Sequence, residues 1–416
     1  MFRSFQFLAT GLMAIEKNLA KKIAKNIAKN KCKNTGKNFM KNILAGSLLL
    51  GIFGCANKSL RKLEFKDLPS LGRTSAGQEI FLGGFSGLHY LGKSSDGRYR
   101  FITHTDRGPN GDMYNGNRPF MLPDFIPRWI LFSVDPGFKN LVIDKTVLLK
   151  NAAGNLSGLP PVVGLEDPVD VYDYLLPVNP NGIDPECITQ DKKGHFWMGE
   201  EYFPSLLEFS EDGMLLSQSF PGKNFPDLFA QRRLNRGFEA IAFFKNNIWA
   251  FLESPLKSGP ADLKGPVLIF NPITKKSVGV KYYPFDNSEA DKIGDVTTLS
   301  ISGEDLGLLV LERNNVLGRK GFRKIYFIPD PSREGPIKKR FVVDLAKIGI
   351  DDVEKIEGLT VVEGRYLFLM NDNDFALRGR PDYLKTGLVP TKDEGSYVYI
   401  IDLNSLLPKT WSWTKE

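Results

Sequence analysis

Carboxylates recur along this 416-residue chain at places that short apolar strands would bring together. Five stretches share one pattern: a polar or acidic residue, a small residue, an apolar strand, a turn, an apolar or aromatic strand, and a closing acid. They begin GGFSGLHYLG at Gly83, DPECITQDKKG at Asp184, RGFEAIAFF at Arg236, IGDVTTLSI at Ile293 and KIEGLTVVEG at Lys355. The opening positions are Ser86, Glu186, Glu239, Asp295 and Glu357, and the closing acids are Asp106, Glu200, Glu253, Glu312 and Asp372. Two unit charges about 4 Å apart repel by about 1 kcal/mol in water and about 4 kcal/mol at an effective dielectric of about 20. Gathered carboxylates must therefore spread out, take up protons or meet a cation. A hard divalent ion with oxygen ligands fits, Ca²⁺ first, with Glu186, Glu239, Asp295, Glu357 and Asp372 as candidate ligands. His89, His104 and His195 show no ligand spacing, which argues against zinc. The competing reading is that the acids cap strand ends or pair with arginine.

Arginines do stand beside them: Arg107 in TDRG, Arg236 in NRGFEA and Arg313 in LERNN. Guanidinium forks match phosphate and carboxylate oxygens, and they also serve as plain ion-pair partners. Cation and arginine together would suit a phosphoester: the ion polarises the phosphoryl group, the guanidinium stabilises developing charge, and a carboxylate such as Glu200 accepts a proton from water. There is no G-x-S-x-G elbow, and Ser86 in GFSGL has no evident histidine partner, so serine-hydrolase chemistry is disfavoured.

The elements that must position these residues are strands. Gly (40) and Pro (26) recur at short intervals, and no stretch within the repeats reads as a helix, which favours many short strands with tight turns. The repeats start roughly 50–60 residues apart, with a wider first gap, and that period in a strand-and-turn chain points to an all-β protein, a β-propeller. WILFSVDP, SLLEFSEDGMLL, GPVLIFNP, KIYFIPDP and SYVYIIDLN supply third strands, ended by Asp-Pro, Asn-Pro or Asp-Gly turns. Five repeats are visible; residues 62–82 with the 130–180 region would complete six blades. A sandwich of paired sheets is the alternative. In an antiparallel hairpin the first residue of one strand and the last of its partner share an end, so the acids face one mouth of the channel. Two insertions, PNGDMYNGNRPFMLPDFIPR and NAAGNLSGLPPVVGLEDPVDVYDYLLPVNPN, would build a substrate rim. Tyr114, Phe120, Phe125 and Trp129 would order the first of them as a lid.

With these motifs in hand, the chain resembles the bacterial phytase-like domain, or "esterase-like activity of phytase", family. The residues that carry the resemblance are GGFSGL, HTDRGPNG, DPECI, FWMGEEYFPSLLEFSEDG, NRGFEAIAF, KIEGLTV and LMNDNDF, spread over most of residues 76–410. The resemblance implies a secreted or surface propeller hydrolase, related in name to calcium-dependent propeller phytases. Carried over motif by motif, it points to Asp106, Arg107, Glu186, Glu200, Glu201, Arg236, Glu239, Glu357 and Asp372 to Asp374. Asp106, Arg107, Glu200 and Arg236 are taken as catalytic, and Arg313, Asn371 and Asp374 as the substrate rim. The chain departs from the typical pattern at Cys187 and Ala240, where glycine usually follows the acid, and at Asp295.

Charge and targeting complete the picture. Residues 1–55 hold nine Lys, one Arg and one Glu, a net of +9, which leaves −2 for the remainder of a chain whose formal total is +7. The basic balance therefore gives no support to a nucleic-acid partner. MKNILAGSLLLGIFGCAN, from Met40, resembles a bacterial lipoprotein signal peptide, with cleavage before Cys55 and a lipid on its thiol. Ala56, in place of an inner-membrane retention Asp, leans by resemblance towards the outer membrane. Upstream, AIEKNLAKKIAKNIAKNKCKN reads as a basic amphipathic segment, either a membrane-surface helix or a stretch before a true start at Met40. The chain thus divides into residues 1–54 as extension and signal peptide, 55–75 as lipidated cysteine and linker, and 76–416 as the propeller. Cys187 would then stand alone, a small packing residue with no disulfide partner. The expectation is a lipid-anchored hydrolase of the cell envelope, a calcium-dependent phosphoesterase acting on a small ester. A lactonase or carboxylesterase in the same channel, or a surface propeller that only binds, are the alternatives.

Overall fold

The computed structural model describes residues 60–256, 263–286 and 292–413. Met40, Cys55 and the basic segment lie outside the described residues. Strands dominate, and they form five four-stranded antiparallel sheets, each following the chain from its innermost strand outwards. Blade 1 is Phe85–Lys93, Tyr99–Thr105, Arg128–Val134 and Leu141–Leu148. Blade 2 is Pro185–Gln190, Phe196–Glu200, Ser205–Phe209 and Leu215–Ser219. Blade 3 is Phe238–Phe244, Asn247–Leu252, Lys264–Asn271 and Lys276–Pro284, and blade 4 is Lys292–Ile301, Glu304–Arg313, Arg323–Pro329 and Arg340–Asp344. Blade 5 takes Lys355–Val362, Tyr366–Asp372 and Tyr397–Asp402 from the end of the chain and its outermost strand, Leu60–Glu64, from the beginning.

The innermost strands touch in the cyclic order of blades 1, 2, 3, 4, 5 and back to 1, so the sheets close a ring. The fold is a β-propeller with five blades rather than six. Residues 62–82 give the strand that completes blade 5 and a small hairpin, Ser70–Arg73 with Glu79–Phe81. The 130–180 region gives the outer strands of blade 1 and part of an insertion. The expected linker at 55–75 is therefore part of the propeller from Leu60 onwards. Leu60 lies opposite Ile401 and Glu64 opposite Tyr397, so the two ends of the ring are hydrogen-bonded together.

Five apolar clusters lie between successive sheets, because side chains alternate across each strand. In Tyr366–Asp372, Leu367 and Leu369 pack on blade 4, while Phe368 and Met370 pack on blade 1. In Phe196–Glu200, Trp197 faces blade 3, and Phe196 and Met198 face blade 1. Central strands buried on both faces lose the polar alternation of a one-sided sheet, which explains their continuous apolar runs. A sixth cluster, including Met121, Phe125, Val171, Phe375 and Val389, joins the two insertions to the segment after Asp372. Phe120 and Phe125 are buried and Trp129 is a core residue of blade 1, while Tyr114 stays half exposed under the Arg380 guanidinium. Among the described residues no helix is long and apolar enough to cross a membrane.

Candidate active site at the channel mouth

One local device aims the acids. In blades 2, 3, 4 and 5 the innermost strand carries a β-bulge against its neighbour, between Pro185 and Cys187, Phe238 and Ala240, Ile293 and Asp295, and Ile356 and Gly358. A bulged residue is unpaired and re-aimed. In three of these blades it is a glutamate, Glu186, Glu239 or Glu357; in blade 4 it is Gly294. The pairing also fixes which residue ends the second strand. Asp372 pairs with Lys355 and Arg313 with Lys292, while the amides of Glu201 and Glu253 bond the carbonyls of Asp184 and Gly237. The equivalent end positions are therefore Asp106, Glu201, Glu253, Arg313 and Asp372.

These side chains converge on a cavity of about 400 Å³ at one mouth. Its wall includes Asp106, Glu186, Glu201, Glu239, Glu253, Glu357, Asp372 and Asp374, interleaved with Arg107, Arg236, Lys292, Arg313, Lys355 and Lys392. Arg107 is 4% exposed and saturated: it meets Glu166 at 2.8 Å, Glu201 at 3.0 Å, Asn235 at 2.7 Å, and Asp184. Arg236 places Nη1 2.5 Å from both oxygens of Glu253, which Lys292 also reaches at 3.2 Å. Lys355 bridges Asp372 at 3.1 Å and Asp374 at 2.5 Å, and Lys392 holds Asp374 at 2.8 Å. Asp374, Phe375 and Ala376 have φ of 47°, 56° and 56°, three successive non-glycine residues in the left-handed region. Such strain costs about 1–3 kcal/mol per residue and persists where the surroundings enforce it, here the apolar seat of Phe375 and the two lysines on Asp374.

Glu186 differs from the rest. Among the described residues its carboxylate takes no hydrogen bond and no ion pair, although it lines the cavity. It lies with Asp106 and Asp184 in a group whose oxygens fall within 4.8 Å of one another; Glu201, Glu239 and Glu253 form a second such group. Burial, then Asp184 and Glu239, push the Glu186 carboxyl well above its usual range. Burial followed by the Asp184 charge raises Asp106 and Glu201 each to about 8. Burial and the Glu253 and Glu357 charges raise Glu239. Burial alone would raise Glu253 too, but Lys292 and Arg236 outweigh it and hold that carboxyl low. Every member of the second group is thus met by a protein cation, whereas in the first Arg107 meets Asp184 alone, and the carboxylates of Asp106 and Glu186 beside it suit a hard divalent ion.

Three expected site residues lie elsewhere. Glu200 turns away from the cavity and organises the next turn: the amides of Asp184, Tyr202 and Phe203 donate to it at 3.0, 2.9 and 2.7 Å. Its neighbour Glu201 faces the cavity instead. Asp295 sits one residue past the bulge and accepts the amides of Val296 at 2.7 Å and Leu359 at 2.6 Å, tying blade 4 to blade 5. Asn371 is buried in a loop brace, donating to the Gly395 carbonyl at 3.0 Å and accepting from the Tyr397 amide at 2.6 Å. Glu312 likewise points away, to Tyr283 at 2.6 Å and to Lys339. Asp106, Arg107, Glu186, Arg236, Glu239, Arg313, Glu357, Asp372 and Asp374 are brought together. Lys292, Lys355, Lys392 and Asp184 were missed; Asp184 and Lys355 open their repeats and Lys292 directly precedes one, a signal that could have found them, whereas Lys392 stands far from any repeat start.

The family model "Phytase-like: Esterase-like activity of phytase" matches residues 80–375, and the chain belongs to that family. No curated protein matches the chain. Solved structures that resemble it include a mutant NanB sialidase from Streptococcus pneumoniae, at 8% identity and TM-score 0.36, with 79% of this chain and 58% of that one covered. The PQQ-bound aldose sugar dehydrogenase of Streptomyces coelicolor is similar at 10% identity and TM-score 0.36, covering 82% of this chain and 98% of that one. A virginiamycin B lyase from Staphylococcus aureus gives 8% identity and TM-score 0.30, with 82% and 98% covered. At such scores none of them bears on the reaction, and this chain spans little more than half of the sialidase.

Proposed function

We propose that this propeller is a calcium-dependent phosphoesterase of the cell envelope, held to a membrane by a lipid on Cys55. The observation that carries the reading is the partnerless Glu186 carboxylate, grouped with Asp106 and Asp184 in a cavity that arginine and lysine side chains also line. Family membership supports ester hydrolysis. Asp106, Asp184 and Glu186 would hold the ion, which when bound supplies positive charge to polarise a phosphoryl oxygen.

The chain's own residues do the rest. Arg236 engages Glu253 through Nη1 alone and lines the cavity, so the remainder of its fork would serve a substrate oxygen. Arg107 is a positioning residue, fixing Asp184 and Glu201. Glu201 uses Oε2 on Arg107, and its Oε1 is open to accept a proton from the attacking water once the carboxyl, raised to about 8 by burial and the Asp184 charge, has given up its own. The water oxygen bonds to phosphorus, the P–O bond to the leaving group breaks, and the leaving oxygen takes up the proton. A lactone or carboxylic ester would meet the same groups, so the test profiles substrates. The purified protein is assayed on aryl phosphate monoesters and diesters, aryl carboxylic esters and lactones. Phosphoester turnover that chelator stops and Ca²⁺ restores supports the reading; turnover of carboxylic esters or lactones alone, or none at all, removes it.

A further inference from the structure

Blade 4 breaks the acidic pattern at two linked places. At the bulge, where blades 2, 3 and 5 carry glutamate, it has Gly294; at the strand end, where the other blades carry Asp106, Glu201, Glu253 and Asp372, it has Arg313. The exceptions explain each other. A Cβ on Gly294 would fall 3.1 Å from both Cδ and Nε of Arg313 and 2.7 Å from the Ile356 carbonyl oxygen, so a side chain there would displace the arginine. Arg313 is 1% exposed, and its Nη1 is anchored by Asn315 Oδ1 at 2.5 Å. Its Nη2 touches Glu239 of blade 3 at 3.2 Å and also Glu357 of blade 5. One nitrogen thus bridges two carboxylates from different blades, the position a shared divalent ion would take with oxygens at about 2.3–2.6 Å.

We infer that Arg313 is a tethered cation standing in for a second metal ion. The cavity accordingly takes one divalent ion, on the blade 1–2 side, and the Glu239–Glu357 pair is a latent site kept closed by the guanidinium. An arginine stays charged at any working pH and is never released to solvent, so this half of the ring is independent of metal supply. The inference rests on the metal reading above and adds a stoichiometry to it.

Calorimetric Ca²⁺ titration of the purified protein tests it. Wild type and Arg313→Lys are expected to bind one ion per chain and Arg313→Met two, with the added ion lost again in Arg313→Met/Glu357→Gln. A folded Arg313→Met protein, judged by near-ultraviolet dichroism, that gains no ion overturns the inference. Two ions in wild type overturn it while leaving the metal reading standing. No ion in wild type but one in Arg313→Met upholds the stand-in role of Arg313, overturns the one-ion stoichiometry and removes the metal reading. Should Arg313→Met fail to fold, Glu357→Gln with the arginine intact decides: a Kd within about twofold of wild type upholds the inference, and a loss of about tenfold or more makes Glu357 a ligand and overturns it.

Discussion

At the scale of single residues, Asp106 and Glu186 are two cavity carboxyls that no protein cation pairs with among the described residues. Because burial and Asp184 raise Asp106 to about 8, its carboxyl carries a proton at neutral pH when no cation is present, and burial and its neighbours shift Glu186 in the same direction. Metal must displace such protons, so Ca²⁺ affinity rises with pH up to about 8, and binding releases protons. Calorimetry in buffers of differing ionisation enthalpy measures the release; an affinity flat between pH 6 and 8 would contradict the proposed ligand set. Glu200 and Glu201 give a second contrast. Glu201→Gln is expected to lower kcat by about 10²–10⁴ in protein that still folds. Glu200→Gln weakens the turn that three amides build on it, and acts on the melting temperature first. Sequence put the proton acceptor on Glu200 because it closes an apolar strand; the face a terminal residue presents depends on its ladder partner, and here the Asp184 carbonyl pairs with Glu201.

At the scale of elements, the bulge is what separates a ligand from a brace. Glu186, Glu239 and Glu357 occupy bulges, while Asp295, one residue later, holds two amides across a blade boundary. Asp295→Asn should therefore destabilise the fold by about 1–3 kcal/mol and leave Ca²⁺ stoichiometry unchanged, which denaturant melts and a parallel titration would resolve. Packing between blades carries most of the stability. Trp197, fully buried against blade 3, should cost about 3–5 kcal/mol on replacement by alanine. The paired apolar strands and their turns were plain in the sequence, since periodicity and Gly, Asn and Asp turns are local properties. A one-residue bulge leaves no compositional mark, so Asp295 and Glu357 read alike until their partner strands were in place.

At the scale of the whole molecule, the ring closes through Leu60–Glu64, and the site depends on that closure because its carboxylates come from every part of the chain. Deleting residues up to Glu64 removes a strand from blade 5 and is expected to lower the melting temperature and weaken Ca²⁺ binding together. The metal-free protein should also lose stability as pH rises from about 5 to 8. The carboxyls of Asp106, Glu200 and Glu201, each raised to about 8, hold protons in the folded state that the unfolded chain has already released. Ca²⁺ at about 100 times its Kd should restore about 2.7 kcal/mol, visible as a pH-dependent rise in melting temperature. Cys55→Ser is expected to abolish lipid labelling and shift the protein from the membrane fraction to the soluble one. The sequence by itself determined the strand-and-turn repeats, the all-β class and the stock of acids, because each follows from neighbours a few residues apart. The number of blades, the choice of Glu201 over Glu200 and the place of Arg313 as the blade 4 contribution were decided only by tertiary structure. Ring closure, bulge position and charge pairing all depend on strands that meet from distant parts of the chain.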